Sequence, residues 1–96
     1  MTNLEKMWVA MSAYLPQAIA AGHGESWARM CNEKTHEATA AACHTAKDGT
    51  AVMAAWNAAD AINYGVMNNT INSDHWAQTA IDRISLVTVK SEQVDA

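Results

Sequence analysis

The sequence predicts an all-α protein, a small antiparallel bundle of about four helices, and three observations carry that reading. Twenty of the 96 residues are Ala, the best helix former. Pro occurs once and Gly four times, too few for a chain of tight turns and short strands. Large apolar residues recur at intervals of three and four, the spacing that puts them on one side of a helix.

The first helical segment begins at Thr2 or Asn3, where Thr2 and Glu5 stand at capping-box spacing. Leu4, Met7, Met11, Tyr14 and Ala18 form its stripe, widened by Trp8, Leu15 and Ile19. Pro16 lacks an N–H and crowds the preceding turn, so a kink or break is expected near Tyr14 and Leu15. The apolar phase continues past Pro16 and favours the kink. Gly22-His23-Gly24 ends the segment.

The second segment is expected from about Glu25 to Lys47 as one helix. Glu25, Arg29, Glu33 and Glu37 make a solvated row able to pair at i, i+4. Trp27, Met30, Cys31, Ala38, Ala41 and Ala42 oppose it. Asp48-Gly49-Thr50 is a turn, with Gly49 a helix stop and Asp48 or Thr50 an N-cap for the next helix. The third segment covers about Ala51 to Tyr64 or Met67, with Val52, Ala55, Trp56, Ala59, Ile62 and Val66 as its stripe. Residues 68–73 are polar and read as the longest loop. Ser73 or Asp74 is expected to cap a fourth segment carrying Trp76, Ala77, Ala80, Ile81, Ile84 and Val87. Residues 85–90 turn β-branched and weaken the helical signal. One domain over residues 1–90 is expected, with a frayed tail at 91–96.

Composition narrows the function. Phe is absent, and Ala contributes little transfer free energy, so the core depends on Trp, Met and close Ala contacts. A formal net charge of -4 opposes nucleic-acid binding, which needs a positive footprint. No apolar run approaches the roughly 20 residues of a spanning helix, and no signal peptide is read at the N-terminus. A soluble, cytoplasmic protein is therefore expected.

Cys31 and Cys43 stand twelve positions apart on one predicted helix, roughly 18 Å. A disulfide needs Cα atoms within about 7 Å, so both are expected to be free thiols, packed as small hydrophobes. Cys31, His36, Cys43 and His44 cluster in sequence, but their intervals of five, seven and one do not converge on one ion, so no metal site is expected. No triad order, phosphate loop or metalloprotease pattern occurs, so no catalytic residue and no cofactor is assigned. His23 and His75 lie near helix starts and read as loop or cap residues.

What remains is a non-enzymatic interaction module that binds or occludes another protein, itself, or both. Its size and class match those of small phage-encoded inhibitors of host machinery, an analogy of build alone. Candidate contacts are Trp8, Met11 and Tyr14, on a terminal kinked helix expected to be least committed to the core, together with Lys34. The alternative is an oligomeric small-ligand binder, for example of a nucleotide, using Lys34, Trp56, Asp60 and Tyr64.

Overall fold

A computed structural model describes residues 1–88 and shows six helices and no strand among them. They are α1 (Asn3–Ala13), α2 (Leu15–Ala21), α3 (Gly24–Glu33), α4 (His36–Thr45), α5 (Gly49–Val66) and α6 (Thr70–Ser85). The all-α class stands. The count of about four does not, because two expected helices are each divided.

The first division is at Pro16. The capping box forms as expected: the Glu5 N–H donates to Thr2 Oγ1 at 3.1 Å and the Thr2 N–H donates to Glu5 Oε1 at 2.8 Å. Tyr14 joins α1 to α2 with helical dihedrals, φ -79° and ψ -14°, so the junction bends the rod without reversing it. Gly22 closes α2 in the left-handed region at φ +91°. Its N–H donates to the Ile19 carbonyl at 3.1 Å and that of His23 to the Ala18 carbonyl at 2.9 Å, a Schellman pair.

The second division corrects the single helix expected over 25–47. Lys34 takes the left-handed conformation (φ 56°), and Thr35 starts α4 by accepting the Ala38 N–H at 3.2 Å. The chain reverses there: Ser26 at the start of α3 hydrogen-bonds Thr45 at the end of α4. α4 stops at Thr45, ahead of Lys47. Asp48 then caps α5, its Oδ1 accepting from the N–H groups of Thr50 and Ala51 at 2.8 and 3.1 Å. Gly49 opens α5 instead of ending the previous helix.

The expected loop at 68–73 shrinks to residues 67–69. Asn69 caps α6 by accepting the Asn72 N–H at 3.2 Å. Ser73, expected as the cap, donates its hydroxyl to the Ala61 carbonyl at 2.9 Å and ties α6 to α5. The tail expected at 91–96, and residues 89–90, lie outside the described residues.

α5 and α6 pack most closely, across buried Ala54, Ala58, Ala61, Ala77 and Ala80. Small side chains let the two helices approach. Volume is supplied by Trp27, Met7, Met11, Met30 and Ile84, all fully buried. The first and last helices start at the same end, where the Asn3 side chain donates to the Asp74 carbonyl at 3.3 Å. The extra reversal at Lys34 accounts for this: five rods that alternate in direction bring the first and last together parallel.

Candidate interaction site

α5 divides its surface by composition. The arc turned toward the rest of the molecule carries Ala, and the opposite arc carries Met53, Trp56, Asp60 and Tyr64 at intervals of three and four, with Met67 following at the C-cap. Met53, Trp56 and Met67 are 43%, 47% and 63% exposed, while Asp60 and Tyr64 are half-buried. The His44 ring of α4 meets Trp56 edge-on at 6.3 Å and restrains the indole on the surface. Among the described residues no cation forms an ion pair with Asp60; Arg29 takes both pairs seen, with Glu33 at 2.9 Å and Glu37 at 3.5 Å. Three of the residues named for ligand binding thus share one face, as their four-residue spacing implies. Lys34 does not join them.

Lys34 lies instead on a groove of about 720 Å³ between α1 and α3, lined by Leu4, Glu5, Trp8, Val9 and Cys31 among others. It is exposed at the C-cap of α3. The Glu5 carboxyl on this groove is held below its usual range, first by the Thr2 N–H and more weakly by the Lys34 charge.

The proposed contacts on the first helix need correction. Met11 and Tyr14 are 0% and 2% exposed, and Trp8 is 7% exposed. The stripe that suggested a contact face is the core face. Met11 and Tyr14 are enclosed by α3, whose Trp27 packs edge-on against Tyr14 at 4.9 Å. Trp8 alone of the three reaches a groove wall.

Nucleophiles are muted. Cys31 and Cys43 are free thiols on separate helices, so the single-helix geometry expected to hold them apart does not apply. Burial raises both pKa values, that of Cys43 to about 11, with the Asp60 charge adding to the shift. The Cys43 thiol donates to the Val52 carbonyl at 3.8 Å. Among the described residues no three His, Cys, Asp or Glu side chains are placed to hold a metal ion.

His23 departs from expectation. It stands at the cap position of α3, but its ring lies in the core between Tyr14 (5.9 Å) and Trp27 (5.8 Å). Neither ring nitrogen has a hydrogen-bond partner among the described residues, and burial lowers the pKa. Its position between two glycines gave no sign of this. Met53 and Met67 were not named as site residues, although both are in helical phase with Trp56, and His44 was weighed only within the cysteine–histidine cluster. Compared with known proteins, the chain matches no family model, no curated protein and no solved structure.

Proposed function

We propose that this chain is a non-enzymatic protein-interaction module that acts by binding another protein and covering part of its surface. The observation that carries this reading is the outer face of α5. There the molecule, short of bulky apolar side chains, leaves Met53 and Trp56 in water on one helix and Met67 in water at its C-cap. Interface energy concentrates in Trp, Tyr and Arg anchors, and a Trp held in place by a neighbouring ring loses little entropy on docking. Protonated thiols fit a role without covalent chemistry. Steric occlusion, as by a phage-type inhibitor of host machinery, is the proposed mode of action. The test is affinity capture from the source lysate with the wild-type chain and with Trp56→Glu. A protein held by the wild type and released by the variant supports the reading. Identical captures by both remove α5 as the contact face.

A second reading, small-ligand binding, is favoured by the groove between α1 and α3. Its volume of about 720 Å³ falls in the range of small-molecule sites, with an apolar wall and the Lys34 charge at its side. A thermal-shift screen of nucleotides tests it. A rise in Tm that Lys34→Glu abolishes supports it, and no shift removes it.

A further inference from the structure

The outer face of α5 also bears on the kind of partner. We propose that it docks an amphipathic helix of another protein that presents an arginine among its apolar residues. This rests on the interaction reading above. From Met53 to Met67 the strip runs fourteen residue steps, about 21 Å at the helical rise, or nearly four turns. A helix laid along it would meet anchors at successive turns, as in helix-in-groove recognition. Asp60 stands in the middle, one turn from Trp56 and one turn from Tyr64, half-buried and outside the ion pairs of the described residues.

Covering this strip with a wholly apolar surface would strip water from a carboxylate and leave it unpaired, which is strongly unfavourable. A cation on the partner removes that cost. Arginine suits the place better than lysine, because its planar fork matches a carboxylate and its face stacks on an indole such as Trp56. A second copy of this chain suits it poorly. Two-fold pairing through the middle of the strip would set Asp60 against Asp60 in a chain already carrying a net charge of -4.

The test uses the full chain and two fluorescein-labelled 18-residue amphipathic peptides with leucines on one face. They are identical except for Arg or Glu at the centre of that face. Anisotropy titrations are run on wild type, Asp60→Asn and Trp56→Glu, with circular dichroism checking that each variant keeps its helix content. The Arg peptide is expected to bind the wild type about tenfold tighter than the Glu peptide. Asp60→Asn should bring the two within about threefold, and Trp56→Glu should lose both. Equal binding of both peptides to the wild type overturns the arginine. If Trp56→Glu still abolishes that equal binding, the interaction reading survives. Failure of both peptides to bind, or binding indifferent to Trp56→Glu, overturns the docking strip. A dimer seen by light scattering in the wild type and lost in Trp56→Glu makes a second copy the occupant and overturns the proposal.

Discussion

The indole N–H of Trp27 donates to the main-chain carbonyl of Met11 at 2.8 Å, inside the core. Met11 lies in the last turn of α1, ahead of the bend that Pro16 imposes. Carbonyls in the last turn of a helix lack their full set of intrahelical partners. Trp27 fills the space beside the bend and gives this carbonyl a second donor, beside the Tyr14 N–H at 3.2 Å.

Trp27→Phe keeps an aromatic ring but removes the donor and part of the volume. The carbonyl keeps the Tyr14 N–H but loses the indole, and a small cavity opens, at a cost of roughly 1 to 3 kcal/mol. Urea denaturation of the two proteins measures it. A loss under about 1 kcal/mol would show that the Tyr14 N–H alone suffices for the Met11 carbonyl and that the core closes over the missing ring.

His23 gives stability a pH dependence with a definite sign. Burial lowers its pKa below the ordinary 6.5, Asp48 opposes that shift, and Lys47 adds to it. The unfolded chain therefore takes up the proton first as pH falls. The contribution of His23 to stability is whole above about pH 6.5 and is lost as pH drops from there toward the folded-state value. His23→Phe should flatten this part of the Tm profile. It should also add about 1 to 3 kcal/mol near neutral pH, because two buried nitrogens without partners disappear. An unchanged slope between pH 6.5 and 5 in the variant would assign the dependence to other groups.

The thiols supply a check on the non-catalytic reading. The thiolate is the attacking species, and burial holds Cys43 in its protonated form with a pKa of about 11. Iodoacetamide at pH 7.5 should modify Cys43 at least about a hundredfold more slowly in the native chain than in urea. Cys31, half-buried on the groove wall, should react faster than Cys43 and still more slowly than a free thiol. Peptide mapping by mass spectrometry separates the two sites. Rapid native labelling of either would reopen thiol chemistry.

Several elements were legible because a local signal and the tertiary structure agreed. Thr2 with Glu5, Gly22, and Asp48 before Thr50 each marked a helix end that the structure uses. The four-residue spacing of Trp56, Asp60 and Tyr64 placed them on one face without coordinates. Other elements failed where two residues offered the same signal. Asn69 and Ser73 are both good caps, and the hydroxyl of Ser73 is instead engaged by the Ala61 carbonyl, a contact no local window contains. The stripe of Met7, Met11 and Tyr14 is apolar, as its spacing implies. Periodicity cannot say whether such a stripe faces a core or a partner, and here it faces the core. The reversal at Lys34 was hidden because lysine is an ordinary helix residue, and only packing of α3 on α4 turns it left-handed.

That reversal yields two substitutions whose signs are opposite in a chain that turns at Lys34 and in one with a continuous helix over 25–47. Lys34 occupies φ 56°, where a side chain costs roughly 1 kcal/mol that glycine avoids. Lys34→Gly should therefore stabilise by about 1 kcal/mol. In a continuous helix over 25–47 the same change would destabilise by roughly that amount. Thr35 accepts the Ala38 N–H at 3.2 Å as the cap of α4, so Thr35→Ala should cost about 1 kcal/mol. Mid-helix, Ala in place of Thr would instead add a few tenths of a kcal/mol. Both are read from urea midpoints at constant m-value. Stabilisation by Lys34→Gly together with loss in Thr35→Ala fixes the turn between α3 and α4. The reverse pair of signs would restore one long helix and dissolve the five-rod arrangement that brings the start of α1 beside α6.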